Sequence, residues 1–473
     1  MRRKVARPLG LGVAALLAAA VAVGDGGALT TGGRPLAVGV GGGIGHTCAL
    51  ARAGSVKCWG YNGHDELGDG SGSGQNSPFP VSVRTLSKGV TALGVGLRHS
   101  CAVRNGGAVC WGVNYSGALG DGTMDRRAAP VAVVGLSSGV RTVAAGAEHS
   151  CGLTAAGAVL CWGSNFVGEV GDGTTDDRWT PVPVVGLGAG VRAIAAESTH
   201  SCALTDTGGV KCWGGGYGKT PVDVPGLTTG AIGLSPNCAV TSGHGVKCWS
   251  GGSGLHASDV PGLESGVASV ATGGGHGCAL TARGRVLCWG INDHGQLGDG
   301  TKRDRASPVN VIGLDRGVVG IGAGFLTSCA VTLAGGIRCW GSNSAGELGD
   351  GTNTERHRPV AVAGYGLRAS LAIASRSVQV DGRGLARIAV RCGVPVACRG
   401  VLVLERRSAM LGRRSFVMAG GHRLVVPLRL TSKALTSLRR AGRLRATARV
   451  RFRQPDDGMT TVVRTLTLLA PPR

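Results

Sequence analysis

The side chains with the most chemical potential in this 473-residue chain are its cysteines, and their spacing is regular. Fourteen of the 16 form pairs nine or ten positions apart: Cys48/Cys58, Cys101/Cys110, Cys151/Cys161, Cys202/Cys212, Cys238/Cys248, Cys278/Cys288 and Cys329/Cys339. A tryptophan follows each second cysteine: Trp59, Trp111, Trp162, Trp213, Trp249, Trp289 and Trp340. Thiols so arranged can close disulfides, ligate a metal or exchange electrons. Zinc is normally gripped through cysteines two to four residues apart, and the chain has no such knuckle. An even cysteine count suits a fully paired framework of the kind that persists outside the cytosol. No metal or cofactor is expected.

The elements that must hold these pairs follow from the block His149-Ser-Cys-Gly-Leu-Thr-Ala-Ala-Gly-Ala-Val-Leu-Cys161-Trp162. Two short apolar runs flank a turn, which reads as a hairpin. With Cys151 facing Cys161, the loop has three residues and ends at Gly157, where a positive φ costs glycine least. Gly54, Gly208, Gly284 and Gly335 hold the same place. The second copy is one residue shorter between its cysteines and turns at Arg104-Asn105-Gly106-Gly107. Asn-Gly is a favoured two-residue hairpin turn, so the shorter loop preserves the register. The paired cysteines are therefore expected to be opposed cross-strand neighbours.

Measured between second cysteines, the copies recur at steps of 52, 51, 51, 36, 40 and 51 residues, which is a repeat architecture. Five copies continue into an Asn…Leu-Gly-Asp-Gly loop, with the aspartates at Asp69, Asp121, Asp172, Asp299 and Asp350. A Pro-led alternating strand follows, as at Pro181-Val-Pro-Val184, then a Gly-Leu turn and another apolar strand. Four short strands per unit make the blade of a propeller. Copies four and five skip the loop, which accounts for the two short steps. With 87 glycines and few aromatics beyond the repeated Trp, the fold class is all-β.

The pattern His-Ser-Cys-Ala-Leu-Thr…Cys-Trp-Gly-x-Asn…Gly-Glu-Leu-Gly-Asp-Gly-Thr…Pro-Val resembles the regulator of chromosome condensation repeat over about residues 36–364. It is similar to a disulfide-containing version found in exported bacterial proteins. The resemblance implies a seven-bladed β-propeller, and the copy number is seven. The run from Leu36 to Val40 and the strand at Pro359–Val362 are expected to complete one blade together, hiding the sheet edges. The family's founder is a guanine-nucleotide exchange factor, and a secreted bacterial relative inhibits β-lactamase through one propeller face. Exchange-factor-like regulation and enzyme inhibition are therefore the alternative functions. No exchange-factor residue can be carried over from the repeat motif.

Repeated residues make poor catalysts, because catalysis needs one particular set of partners. His46, His99, His149, His200 and His276 are expected to pack, bonding neighbouring backbone, and the seven tryptophans to be core. The Gly-Asp-Gly aspartates are expected to cap their own turns, with calcium as the rival reading. Function in repeats tends to lie where copies differ. Tyr115 and Phe166 occupy one slot in adjacent blades, and Trp179 sits beside Asp176 and Asp177. Aromatics beside charges have the composition of a binding hot spot; the alternative is that they fold over their own loops. No nucleophile elbow, Walker loop or HExxH appears, so catalysis is not expected.

Outside the repeats, Arg2, Arg3, Lys4 and Arg7 precede an apolar run from Leu9 to Val23, with Ala20-Val21-Ala22 as a cleavage candidate. Residues 1–22 thus read as an export signal, the alternative being an uncleaved anchor. From Tyr365 onward there are 22 Lys and Arg against 4 Asp and Glu, while residues 1–364 carry 28 against 23. Residues 365–473 alternate as half-buried strands, for instance Leu444, Ala446, Ala448, Val450 and Phe452 against Arg443, Arg445, Arg449, Arg451 and Arg453. They resemble a small β-sandwich module, with a short helix over Lys433–Arg440 and an eighth disulfide between Cys392 and Cys398. The arginine face is suited to polyanions, but too few aromatics interleave it for specific nucleic-acid recognition. The expected protein is a secreted or cell-surface monomer, a non-enzymatic scaffold that binds protein or envelope glycan.

Overall fold

The structure, a computed structural model, describes residues 37–252, 256–365, 371–392, 398–418, 423–453 and 459–471. The export segment and the side chain of Cys398 lie outside the described residues. The chain divides into two compact units, Ala37–Leu333 with Ile337–Ala363, and a second built on Gly364–Arg473.

The first unit is a seven-bladed propeller of seven four-stranded antiparallel sheets. Blade 3 serves as the pattern: Val140–Ala145 innermost, then His149–Thr154, Val159–Gly163 and Arg178–Pro183 outermost. Cys151 stands opposite Cys161 in register, as the two cysteines do in every blade. All seven pairs are disulfides: Cys48–Cys58, Cys101–Cys110, Cys151–Cys161, Cys202–Cys212, Cys238–Cys248, Cys278–Cys288 and Cys329–Cys339, with Cα atoms 4.0–4.1 Å apart. The turns are those expected: Gly157 has φ 81°, and in the shorter blade 2 Asn105 and Gly106 have φ 51° and 82°. The two strands lie side by side in register, so each cysteine has its partner directly opposite.

The ring does not close as expected. Ala37–Gly42 pairs with His46–Ala51 in blade 1, and Arg356–Ala361 pairs with Ile337–Gly341 in blade 7. Each end completes its own blade, so no blade is shared. Both end strands already have their ladder partner from the adjoining hairpin, and nothing is left to exchange. Blades 7 and 1 are joined by Trp59 Nε1 and Thr47 Oγ1, which donate to Glu347 O at 2.8 and 2.9 Å, and by Phe325 N, which donates to Gly43 O at 3.1 Å.

The second unit packs a three-stranded sheet and a five-stranded sheet around one apolar core. Leu444, Ala446, Ala448, Val450 and Phe452 are buried, while Arg443, Arg445 and Arg451 are exposed. One helix, Ser432–Ala441, is capped by the Thr431 hydroxyl, which accepts from Ala434 N, and is ended by Gly442 at φ 71°. Cys392 is buried and disulfide-bonded.

Candidate functional site

In each blade the turn between the first two strands and the loop between the last two lie at the same end. This loop face carries most of what distinguishes the blades, and its repeated residues link neighbouring blades. His99 Nε2 meets Ser150 Oγ of the next blade at 2.7 Å, and Ser150 donates to Ala118 O at 2.9 Å. The hydroxyl proton being spent there, the imidazole must donate through Nε2–H. His46–Ser100, His149–Ser201 and His276–Ser328 repeat the contact at 2.8–2.9 Å. The histidines thus bond a neighbouring hydroxyl rather than backbone; only His200 finds a carbonyl, Pro236 O at 3.2 Å. The serine is fifty residues away, so a repeat read by itself hides the pairing. Burial holds the imidazoles neutral, pushing His46 and His149 down to about 3 and His99 and His276 to about 4.

The cysteines, the residues with the most chemistry in the sequence, form no part of this accessible surface. Cys58, Cys110, Cys161, Cys212, Cys288 and Cys339 are 0% exposed, and their first-strand partners Cys48, Cys101, Cys151, Cys202, Cys278 and Cys329 are also buried. They belong to the apolar packing between blades, where Cys58 lies with Leu50 and Trp111, and Cys110 with Leu119 and Trp162. Cys212 and Cys288 sit likewise among the aliphatic side chains of their blades. Their role is to staple the sheet from within; no free thiol remains among the described residues to exchange electrons. Blade 5 differs, because Cys238 and Cys248 border a cavity described below.

The tryptophans form a second belt. Trp111, Trp162, Trp213, Trp340 and Trp59 each donate Nε1 to a carbonyl in the preceding blade's loop: Glu66, Ala118, Glu169, Gln296 and Glu347, at 2.8–2.9 Å. The loop itself is held by its aspartate. Asp172 Oδ1 accepts from Thr174 N, Thr174 Oγ1 and Asn165 Nδ2, and its Oδ2 pairs with Arg178 at 2.6 Å. Despite partial burial, these bonds hold the carboxyl below its ordinary range. Turn capping was expected; the arginine six positions on was not. It recurs at Arg127, Arg305 and Arg356, and a fixed Asp-x5-Arg spacing in four copies would have revealed it.

The expected binding residues stand at this face in blades 2 and 3. Tyr115 is 50%, Phe166 83% and Trp179 47% exposed. Trp179 lies against Gly117 of the blade 2 loop, where an added Cβ would come within 2.7 Å of its indole. Tyr115 also makes an edge contact with His64 of blade 1, which in turn meets Tyr61, so aromatic ring contacts run from blade 1 to blade 2. Asp176 and Asp177 are exposed. The Asp177 carboxylate accepts from Asn165 N at 2.9 Å, as Asp304 does for Asn292 in blade 6, so it shapes its own loop. Among the described residues, no group of three or more His, Cys, Asp or Glu is placed to hold a metal.

The tryptophan belt breaks at blades 4 and 5, where the sequence shows missing loops; the histidine belt breaks there and again between blades 7 and 1, where Thr327 and Thr47 replace the histidine and the serine. Backbone bonds circle the mouth of the central channel: Ile44 N to Leu97 O, Leu97 N to Gly146 O, Ala147 N to Ser198 O, Gly274 N to Phe325 O and Phe325 N to Gly43 O. Blade 5 turns early at Pro236-Asn237, with Ser235 opposite Cys238, and contributes neither a His-Ser step nor a proline N–H. In five blades one position of this rim is a glycine (Gly43, Gly96, Gly146, Gly273 or Gly324), packed so closely against its neighbours that a side chain has no room; in blade 4 it is Glu197. Burial pushes the Glu197 carboxyl up to about 7, against the opposing pull of a hydrogen bond from Asn237 Nδ2. Around it, Tyr217, Trp249 and Trp289 border a cavity of about 340 Å³. A lone glutamate where other copies have glycine was the signal available in the sequence.

Two family profiles described as "Regulator of chromosome condensation (RCC1) repeat" match the chain, one at residues 140–169, 191–218 and 267–296, the other at 105–153, 156–204 and 283–331. Ultraviolet-B receptor UVR8 of Arabidopsis thaliana is 28% identical over 350 residues, covering 67% of this chain and 79% of that protein. E3 ubiquitin-protein ligase HERC2 of Homo sapiens is 31% identical over 335 residues, but this is 67% of this chain and only 6% of HERC2. The fold matches the crystal structure of Prp20p from Saccharomyces cerevisiae with a TM-score of 0.57 at 20% identity, over 70% of this chain and 87% of that one.

Proposed function

We propose that this chain, which carries regulator of chromosome condensation repeats folded as a seven-bladed propeller, is an exported, non-enzymatic binding module acting at the cell surface through its loop face. The observation that carries this reading is the exposure of Tyr115, Phe166 and Trp179 at one end of blades 2 and 3. Large apolar side chains left in water beside charged loops are the anchors of interfaces, and a folded chain otherwise tends to bury them. Relatives of the fold support a binding role: one is a receptor, and the work on Prp20p concerns its binding to Gsp1p and histones. The partner class is a protein or an envelope glycan. Export is supported by seven disulfides, which a reducing cytosol would not maintain, and by the basic then apolar N-terminal sequence. The arginine face of the second unit is a further polyanion contact.

The test is capture of envelope components by the mature protein, compared with a Tyr115→Ala, Phe166→Ala, Trp179→Ala variant. Wild-type protein should retain an envelope protein or glycan that the variant loses at least tenfold, with both proteins showing essentially no thiols after denaturation without reductant. Retention of a GTPase instead, or equal capture by both proteins, would sink the proposal.

A further inference from the structure

Five of the seven repeat tryptophans are covered in one way by the preceding blade. A main-chain carbonyl accepts the indole Nε1–H. The next residue is a buried leucine or valine, such as Leu119 or Val170. The glycine after it lies against the indole: a Cβ on Gly120 would stand 2.8 Å from Trp162 Nε1, and one on Gly171 2.7 Å from Trp213.

Trp249 and Trp289 face blades 4 and 5, which have no such loop. Blade 4 offers only the tight turn Gly214–Gly218, in which Tyr217 N returns to Gly214 O. Trp249 and Tyr217 are 6% and 8% exposed and approach one another, the indole offsetting part of the burial that pushes the Tyr217 phenol up to about 12, yet neither Trp249 Nε1 nor Tyr217 Oη makes a hydrogen bond of good geometry among the described residues. Trp289 is only half-buried and lies over Gly277, the position that is serine in four other blades. A buried donor with no acceptor at all costs roughly 1–3 kcal/mol; here the indole and the phenol, poorly placed to satisfy one another, border a cavity whose 340 Å³ falls within the roughly 300–1,000 Å³ typical of ligand sites.

We infer that this cavity receives a glycine-flanked loop of a partner protein, which presents a main-chain carbonyl to Trp249 and an aliphatic side chain to the cavity, in the place a blade loop fills elsewhere in the ring. The chain spells out the chemistry of this ligand five times. An acceptor answers the indole, an aliphatic residue fills the space beneath it, and a glycine permits the approach. A second carbonyl of the same loop would serve Tyr217 Oη, and the Glu197 carboxyl on the wall offers an acceptor to a loop N–H. The site involves none of the aromatic side chains of blades 2 and 3, so it stands or falls separately from them.

The eight tryptophan indoles give separate ¹H–¹⁵N signals, which report each Nε1–H directly. The probe is the chain's own Asn343–Thr352 sequence as a head-to-tail cyclised decapeptide. Titrated into the oxidised full-length protein, it should move the Trp249 and Trp289 signals and leave the other six in place. Trp249→Phe assigns its signal and should weaken binding at least tenfold; if that variant does not fold, Tyr217→Phe provides the same comparison. A peptide with aspartate at the Leu348 position should not bind. The inference is overturned by unmoved signals at millimolar peptide, by an equal response to the aspartate peptide, or by a stronger response to tri-N-acetylchitotriose, which would make this a sugar site.

Discussion

Blade 3 and blade 5 share the same stapled hairpin, cysteine opposite cysteine, yet one is clasped to its neighbours and the other stands open. Blade 3 receives an imidazole from blade 2, gives one to blade 4, and has its tryptophan capped by a carbonyl. Blade 5 turns its inner hairpin directly between Ser235 and Cys238, has only a two-residue outer strand, Ser258–Asp259, and leaves Trp249 uncapped. The hairpin is thus the autonomous part of the repeat, and the clasp is a separate layer that individual copies can lose. What holds each blade's sheet together is local; what holds the ring together belongs to pairs of blades.

The largest way to separate the two layers is acid. The unfolded-state pKa of these histidines is about 6.5, while four buried imidazoles titrate at about 3 to 4 in the fold. In that window the unfolded chain takes up protons that the folded one refuses. Stability is therefore complete above pH 6.5 and falls as pH is lowered towards about 3, where the last of these imidazoles titrate in the fold, then levels off. The loss is roughly 2 kcal/mol per histidine at pH 5. Denaturant titrations at pH 7.5 and 5 should differ by several kcal/mol, and hydrogen exchange should quicken most at the clasped junctions among blades 1–4 and between blades 6 and 7. A flat profile would break the comparison.

A smaller effect distinguishes the two kinds of tryptophan. Trp162→Phe removes an indole bond that Trp249→Phe does not, so the first should cost about 1–2 kcal/mol more than the second. Differential melting of the two variants measures this. Smaller still is the loop clamp. Arg178→Ala should cost no more than about 1 kcal/mol, since the guanidinium is a third exposed. Blade 1, where Gln75 stands six residues after Asp69, already does without it.

The stapled layer was legible from residues alone because everything it needs lies within a dozen positions: the register, the turn that changes type in blade 2, and the glycine with positive φ. The alternating arginine strand and the helix beginning at Ser432 were legible for the same reason. The clasp was not. A histidine whose partner is a serine in the next copy looks like any other repeated residue, and the spacing does not say which blade faces which. The expected shared blade failed on the same point, since the pattern counts strands without showing which edges are already paired. Tyr115, Phe166 and Trp179 were found because they differ from their counterparts, whereas Glu197 and Tyr217 were missed because the shortened copies read as loss rather than as space.

The staples also have a mechanical meaning. The described chain enters the ring at the inner strand of blade 1 and leaves it at the outer strand of blade 7, so a pull along the chain is shared between separate sheets instead of opening a single zipper. As blades peel away, each disulfide keeps its central hairpin from paying out, because the load passes across the sulfur bridge and bypasses the enclosed turn. Under oxidising conditions each blade can release only the residues outside its staple, so the seven closed hairpins survive extension; once reduced, the enclosed residues are free to extend as well.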